Sequence, residues 1–367
     1  MNFRGSFRSS GSRRIALALL SVTTVVLGGM SSAPAAPNVP RLAVGLRCGD
    51  VGGLIKALTN PVVTIDLNVD NVPSCTYVLT APYRGSIRGL PIVHGSATIH
   101  GHGSTILRNS AIPFAMFVNN GNTTLDHLTI SGGHCDQQCI VGGIYNDARL
   151  SLTDVTVRGN SGPTGGIWNV GLVTLTRVIL AGNRGDYGGG ISNLGNVTVR
   201  NSIVSGNSAD SGAGIFNGTT GVLTLLDSSV VGNSAEGTGQ FDGGGGVFND
   251  AGGVMTIVET LFDRNETAAA GGGIMNFGTV ALIMSSLSGN AASGVGGGLA
   301  DEGNLSCAPC GPALATMYGG SARDNRASTG GAIFSKFTAA VITHGVAFSG
   351  NAPNNCAPSG RVVGCSG

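Results

Sequence analysis

The sequence predicts an all-β chain folded as a single-stranded, right-handed parallel β-helix of about 10–11 coils, with a short N-terminal helical cap. Three observations support this prediction. A Gly-Gly-Gly-Ile-x-Asn motif, as at Gly188–Asn193, recurs every 23–24 residues in its regular copies. A second asparagine, usually preceded by glycine, follows about 16 residues after the apolar residue of the motif. Between the two, apolar residues alternate in steps of two, as they do in β-strands.

The repeat aligns in three columns along the chain. The apolar column is Ile144, Ile167, Ile191, Ile215, Val247, Ile274, Leu299 and Ile333. Two residues later comes the first asparagine column, which is Asn146, Asn169, Asn193, Asn217, Asn249 and Asn276, then Asp301 and Ser335. The second asparagine column is Asn160, Asn183, Asn207, Asn233, Asn265, Asn290, Asn325 and Asn351.

The block between the asparagine columns predicts two more strands in each coil. Counted back from the second asparagine, positions −10, −8 and −3 are apolar, and position −5 is smaller, as in Val197, Val199, Ser202 and Val204. The step of three between −8 and −5 breaks the alternation, so one strand ends there and the next begins. Three short strands in about 23 residues cannot form a domain alone, but they can stack on copies of themselves. The preference of parallel crossovers predicts a right-handed coil.

Glycine and asparagine have clear roles in such a stack. Three glycines in a row allow a tight turn and let the backbones of neighbouring coils approach to about 4.8 Å. Asparagines in register stack as ladders at the corners, where their amides satisfy backbone groups of the turns. The composition fits, because 63 of the 367 residues are glycine and only 11% are charged. The absence of a strict Gly-X-Y period excludes collagen.

Residues 1–35 are predicted to be a signal peptide. Arg4, Arg8, Arg13 and Arg14 precede an apolar run from Ile15 to Met30, and Ala33-Pro34-Ala35 is a small-residue cleavage site. The run is short for a membrane anchor. Export by the general secretory route or by the twin-arginine route stays open. Cleavage leaves 16 basic and 19 acidic residues, a net charge of −3, so nucleic acid is not expected as a partner. No later segment is expected to span a membrane.

Residues 36–94 are predicted to form an N-terminal segment and cap. Asp50 can cap a short helix that places Val51, Leu54, Ile55 and Leu58 on one face, and Asn60-Pro61 would end it. A helix at this place would cover the open end of the sheet stack. The β-helix is then expected over residues 95–355, followed by a disulfide-closed tail at 356–367.

Eight cysteines in an exported chain suggest four disulfides. Eight cysteines allow 105 pairings. The simplest set joins sequence neighbours: Cys48 with Cys75, Cys135 with Cys139, Cys307 with Cys310, and Cys356 with Cys365. A redox role for the Cys307-Ala-Pro-Cys310 motif is an alternative, but a structural bridge is favoured because the motif lies in a loop-like stretch.

The glycine-rich motif copies over about residues 95–355 resemble two groups of proteins. They are similar to the repeats of polymorphic outer membrane proteins, and to glycine-rich secreted right-handed β-helix proteins of the pectin-lyase-like superfamily. The first resemblance implies an adhesin-like role at a cell surface. The second implies a superfamily that contains polysaccharide lyases and hydrolases, although a fold alone does not define a function.

Two groups of residues are candidates for a functional site. The first lies early in the chain, where His100, His102, Asp126 and His127 could approach each other and hold a metal ion. Solvated or hydrogen-bonded histidines are the favoured interpretation of this group. The acids of the later coils, Asp154, Asp227 and Glu259, are expected to be scattered along the rod and solvated.

The second group is the column between the apolar residue and the asparagine of each motif. It is expected to point outward and to form a semi-apolar stripe that could stack on sugar rings or dock a partner. An ordinary sheet face, partly covered by loops, is the alternative. The candidate binding residues in this stripe are Tyr145, Trp168, Phe216, Phe248, Met275 and Phe334.

These observations favour a secreted or surface-associated, non-enzymatic protein that binds polysaccharide or a cell-surface component. A polysaccharide lyase or glycoside hydrolase is the alternative function, and a purely structural rod is a third possibility. No cofactor is expected, and the catalytic residues and oligomeric state stay undetermined. A cluster of acids with Arg or Lys on one groove would favour the enzyme, whereas an uninterrupted apolar or neutral stripe would favour binding.

Overall fold

The computed structural model describes residues 42–136, 138–239, 242–303, 313–336 and 339–365. The predicted signal peptide and the Cys307–Cys310 pair lie outside these residues. The described chain forms the predicted all-β parallel β-helix, in which every named strand pairs in parallel with its counterparts in neighbouring coils. Three faces run along its length, and they carry the strands predicted from the repeat.

The motif face is a ten-stranded sheet built from the Gly-Gly-Ile-x-Asn segments. The apolar and asparagine columns are in register, so that Ile167 pairs with Ile191 and Asn169 with Asn193. Its strands are Phe117–Asn119, Ile144–Asn146, Ile167–Asn169, Ile191–Asn193, Ile215–Asn217, Val247–Asn249, Ile274–Asn276, Leu299–Asp301, Ile333–Ser335 and Cys356–Ala357.

The long-strand face carries mostly five-residue strands whose −10 and −8 residues point inward. Two of its strands, Ser96–Arg108 and Asn122–Ser131, continue around the next corner. The others are Leu42–Gly45, Val62–Asp66, Arg149–Thr153, Leu172–Thr176, Asn196–Arg200, Val222–Leu226, Val254–Val258, Thr279–Ile283, Leu314–Tyr318, Ala340–His344 and Val362–Val363.

The short-strand face carries mostly three-residue strands around the −3 residue. They are Thr76–Leu79, Thr156–Arg158, Ile179–Ala181, Ile203–Ser205, Ser229–Val231, Leu261–Asp263, Ser286–Ser288, Ser321–Arg323 and Ala347–Ser349. A small four-stranded sheet that the repeat did not predict follows the second asparagine, at Ser208–Ala209, Ser234–Ala235, Glu266–Thr267 and Ala291–Ala292.

The corner between the long-strand and short-strand faces is sharper than the sequence indicated. The −6 residue adopts a left-handed conformation, with φ between 46° and 54° in the positions of this column. The −5 residue, such as Val155, is buried at the corner rather than inside the second strand. We call this column the outer corner, and it consists of His102, His127, Asp154, Arg177, Asn201, Asp227, Glu259 and Met284.

The interior of the coil is a continuous apolar core. One cluster of buried side chains extends from Leu46 to Val362 and contains the apolar columns of all three faces. Each fully buried Val, Leu or Ile contributes roughly 1.5–3 kcal/mol through removal of its apolar surface from water. The asparagines of the two columns are also buried, except for the partly buried Asn351, and ladder hydrogen bonds satisfy their amides.

The N-terminal segment joins the stack earlier than residue 95. Strands Leu42–Gly45 and Val62–Asp66 pair with each other, and Val62–Asp66 pairs with Ser96–Arg108. A helix, α1, covers Val51–Leu58, and the side chain of Asp50 accepts a hydrogen bond from the Gly53 N–H at its start. Its buried Leu54 and Leu58 belong to the main core. The role of α1 as a cap stays a prediction.

Three of the expected cysteine pairs lie at disulfide distance: Cys48–Cys75, Cys135–Cys139 and Cys356–Cys365. A 3₁₀ turn covers Tyr83–Gly85, between the strands of the early coils. Among the described residues, no helix is long and apolar enough to cross a membrane.

Candidate functional site

Parallel pairing brings polar residues of the first coils side by side on the long-strand face. Asp66 pairs with His100, His100 with Asp126, and Asp126 with Thr153. These residues follow a buried −8 position, so they point away from the core. Residues 26 or more apart in sequence therefore become neighbours about one strand spacing apart.

The outer corner adds a second polar column beside the first. His127, Asp154 and Arg177 follow the outward column directly, and His102 follows His100 after one glycine where the strand register shifts. Each of the four has the left-handed backbone that turns its side chain over the corner. His, Asp and Asn tolerate this conformation better than most residues other than glycine. Apart from Asp66, the residues of the two columns line an open groove of about 560 Å³, which we call the corner groove.

A chain of hydrogen bonds and ion pairs connects the side chains of the corner groove. The Nδ1 of His100 lies 2.7 Å from Oδ2 of Asp126, whose Oδ1 lies 3.1 Å from Nδ1 of His127. The Nε2 of His127 lies 3.7 Å from Oδ2 of Asp154. Arg177 donates two hydrogen bonds to Asp154, from Nε at 2.7 Å and from Nη2 at 2.6 Å.

The Asp154–Arg177 pair fixes the charge state of one end of the corner groove. The hydrogen bond from Arg177, helped by its positive charge, lowers the pKa of Asp154 below the ordinary value. The same bond raises the pKa of Arg177. Arg177 is exposed and Asp154 is partly exposed, so the pair contributes to the shape of the site more than to stability. With neutral histidines, the two carboxylates and one guanidinium that line the groove give it a net charge of −1.

The structure brings together the four residues predicted as a weak metal site, and three of them pair with each other. His100 and His127 both contact Asp126, while His102 lies 3.4 Å from Asp66 on the neighbouring coil. In the described part of the chain, no three His, Cys, Asp or Glu residues are grouped so that they could hold a metal ion. The hydrogen bonds of the favoured interpretation are present in this cluster, and the metal-binding role of its residues stays a prediction.

Asp154, expected to be scattered with Asp227 and Glu259, instead belongs to the cluster. Sequence reasoning missed Arg177 and Asp66 as further members. The position of Arg177, six residues before Asn183, was the available signal for that residue, whereas Asp66 joins through its register with His100. Asp227 and Glu259 occupy the same corner in later coils, outside the corner groove.

The predicted stripe lies on the motif face, away from the long-strand face that carries the corner groove. Tyr145, Trp168, Phe216 and Phe334 are partly exposed. Phe248 and Met275 are buried, with 4% and 1% of their surface exposed. Ser192 and Ala300 interrupt the apolar column, so the stripe does not run unbroken along the rod.

The middle of the stripe is a small second core outside the coil. The rings of Phe216 and Phe248 stack with centroids 5.1 Å apart, and Phe277 covers Phe248 at 5.5 Å. Met275 and Ala300 complete the buried cluster. Loop residues thus cover the middle of the stripe, which matches the alternative of a sheet face partly covered by loops. The binding role of the exposed stripe residues stays a prediction.

Comparisons with protein-family models, with curated proteins and with solved structures gave no match for this chain.

Proposed function

We propose that this chain is a secreted or surface-associated, non-enzymatic β-helix protein that binds a polysaccharide in the corner groove. The observation that carries the proposal is the chain of contacts His100–Asp126–His127–Asp154–Arg177, which holds polar side chains of four successive coils along one open groove. The resemblance to secreted β-helix proteins supports polysaccharide as the ligand class.

The chemistry of the corner groove suits hydroxyl-rich ligands. Sugar hydroxyls both donate and accept hydrogen bonds, and the groove offers carboxylate acceptors, guanidinium donors and the hydroxyls of Thr124 and Thr153. Because Asp126 and Asp154 already hold their neighbours in place, little side-chain freedom is lost on binding. An open groove along the rod also admits an internal segment of a long polymer.

The electrostatics favour binding over hydrolysis. A glycoside hydrolase needs one carboxyl group with a raised pKa as the acid that protonates the leaving group. The pKa of Asp154 is lowered by Arg177, so this residue is poorly suited to that role. The bidentate bond to Asp154 also occupies Arg177, which is therefore not free to act as a base.

The test is retention of the purified protein on a panel of neutral and acidic polysaccharides, with release of soluble product scored in the same wells. Asp126→Asn should weaken retention about tenfold, because it removes the charged acceptor that orients His100 and His127. The matched control is Asp227→Asn, which changes an exposed acid of the outer corner outside the groove and should leave retention unchanged.

The unsubstituted protein is the reference for both variants. If Asp126→Asn and Asp227→Asn both keep its retention, or if both lose it, the corner groove is not the binding site. Retention lost only after replacement of Trp168 and Phe216 by Ala would assign binding to the stripe instead.

A polysaccharide lyase or glycoside hydrolase is the second candidate function, and one observation favours it. The 2.7 Å contact between Asp126 and Nδ1 of His100 is the arrangement that orients an imidazole as a general base. Product release that disappears in His100→Gln, while Asp227→Asn keeps it, would establish this function. Retention without product release would support the binding protein.

A further inference from the structure

We propose that a second groove, between the end of α1 and residues 83–95, binds the oxyanion of a small phosphate- or carboxylate-bearing ligand through Arg88. This groove has a volume of about 420 Å³. It shares no lining residue with the corner groove, so the proposal is independent of the polysaccharide-binding function.

Arg88 lacks the partners that a half-buried guanidinium normally has. Its Nε atom is buried and has no hydrogen-bond partner. Throughout the described residues, Arg88 makes no side-chain hydrogen bond and no ion pair, whereas Arg177 and Arg184 each pair with an acid. Because no acid neutralises Arg88, its positive charge is available to an anion in the groove that it lines.

The surroundings of Arg88 are positive or neutral. The described residues that line the groove include His94 and Arg88 but no Asp or Glu. Arg84 lies beside the groove, with its guanidinium carbon 5.2 Å from the ring centroid of the lining residue Tyr83. An anion that enters therefore meets attraction without a competing carboxylate.

The groove is also held in shape before any ligand arrives. The Tyr83 N–H donates to the Arg88 carbonyl at 2.7 Å, and the Gly89 N–H donates to the Ala115 carbonyl at 2.7 Å, so the backbone on both sides of Arg88 is fixed. On the opposite wall, the Ser96 N–H donates to the Pro61 carbonyl at 2.8 Å. Gly95 fits there because a Cβ atom would collide with that same oxygen.

These features define the ligand class. A guanidinium binds phosphate or carboxylate with two parallel hydrogen bonds, which a point charge cannot do. Tyr83, Pro91 and Ile92 supply apolar walls for the body of the ligand. The ligand is therefore a small phosphate- or carboxylate-bearing anion rather than a free metal ion or a neutral sugar.

The experiment is calorimetric titration of the purified protein with inorganic phosphate, with citrate and with glucose. Phosphate or citrate should bind saturably and glucose should not, and the anion that binds more tightly identifies the source of the oxyanion. Arg88→Gln should weaken binding about tenfold or more, because both hydrogen bonds are lost. The matched control Arg158→Gln removes an exposed arginine of the short-strand face and should leave affinity unchanged.

Arg88→Lys gives a second test with unchanged net charge, and it should weaken binding because an ammonium cannot form the two parallel bonds. Absence of binding by both anions, or equal affinity in the unsubstituted, Gln and Lys forms, would overturn the proposal.

Discussion

At the scale of single residues, the buried asparagines of the motif face form one continuous ladder. Each side-chain N–H of the ladder donates to the side-chain oxygen of the next coil, as Asn169 does to Asn193 at 2.9 Å and Asn193 to Asn217 at 2.8 Å. The same oxygen of Asn193 accepts from the Gly195 N–H and holds the turn after the motif. The ladder therefore joins neighbouring coils and fixes the turn of each coil.

Replacing one ladder residue should be costly. Asn193→Ala should lower the free energy of unfolding by about 2 kcal/mol, because Asn169 loses a buried acceptor and Asn217 loses a donor. Urea denaturation measures the change. Asn196→Ala, three residues later and exposed, is the control and should stay within about 0.5 kcal/mol of the unsubstituted chain. Equal effects of the two substitutions would show that the ladder does not stabilise the coil.

The asparagine ladder of the motif face ends at Asn276, and the next residue in register is the acid Asp301. Asp301 accepts from Asn276 at 2.7 Å and is fully buried, but its Oδ2 has no partner among the described residues. The Oγ of Ser335, the next residue in register, is also without a partner. A protonated carboxyl imitates an asparagine side chain, with one acceptor and one donor. Burial raises the pKa of Asp301 to about 7, although the hydrogen bond from Asn276 opposes the shift.

Stability should therefore depend on pH through Asp301. Its folded-state pKa of about 7 lies above the unfolded value, so the folded chain holds this proton more tightly. The free energy of unfolding should fall by up to about 1.4 kcal/mol per pH unit as pH rises from about 4 to about 7. Above about pH 7, Asp301 should cause no further change in the free energy of unfolding.

Urea denaturation at several pH values tests this dependence. Asp301→Asn should remove the contribution of this residue to the slope of unfolding free energy against pH, since an amide does not titrate. Asp227→Asn should keep that contribution. A slope that is the same in all three chains would contradict the assignment to Asp301.

At the scale of the repeating element, glycine sets the distance between coils. A Cβ atom on Gly190 would lie 2.5 Å from the carbonyl oxygen of Gly214 in the next coil, so no other residue fits without moving the backbone. Gly206, which precedes the second asparagine, differs because it has a positive φ of 59° and open space around it. One glycine is required by close approach and the other by backbone conformation.

The two kinds of glycine should respond differently to alanine. Gly190→Ala should cost about 2–3 kcal/mol, because the methyl group forces two coils apart. Gly206→Ala should cost only about 1 kcal/mol, the penalty of a left-handed backbone. Thermal and urea unfolding of both variants measure the difference. An equal or reversed order would show that spacing between coils is not limited by this contact.

At the scale of the whole molecule, the rod behaves as a stack of nearly equivalent coils. Each coil pairs with the one before and the one after, through the same register on each face. In such an arrangement, stability is approximately a sum of coil terms and nearest-neighbour terms. The chain should therefore tolerate removal of one whole period more easily than removal of part of one.

Deletion of residues 191–214 removes one period of 24 residues and joins Gly190 to Ile215 with the columns still aligned. This variant should remain folded, with the circular dichroism of a β-protein and a cooperative thermal transition. Deletion of residues 191–202 removes half a period and turns inward residues toward solvent, so it should abolish that transition. Folding of both variants, or of neither, would contradict the repeat as the unit of structure.

Much of the fold was predictable because it rests on a local, repeated pattern. The columns of Ile191, Asn193 and Asn207 appear in the chain as direct periodicities, and stacking is the arrangement that buries all of them together. The site was less predictable. His100 and Asp126 were named as candidates, but their 2.7 Å contact depends on the register of strands whose motif copies are irregular.

The sequence by itself determined the parallel β-helix, the coil period and the two asparagine ladders, since each of these depends on short-range spacing along the chain. Only the tertiary structure decided that Asp154 and Arg177 join the histidine cluster, that Phe248 and Met275 are covered, and that Arg88 lacks a partner. The reason is physical. Side chains at one corner come from coils 23 or more residues apart, and their contacts and burial depend on the exact turn of each corner and on the loops around it.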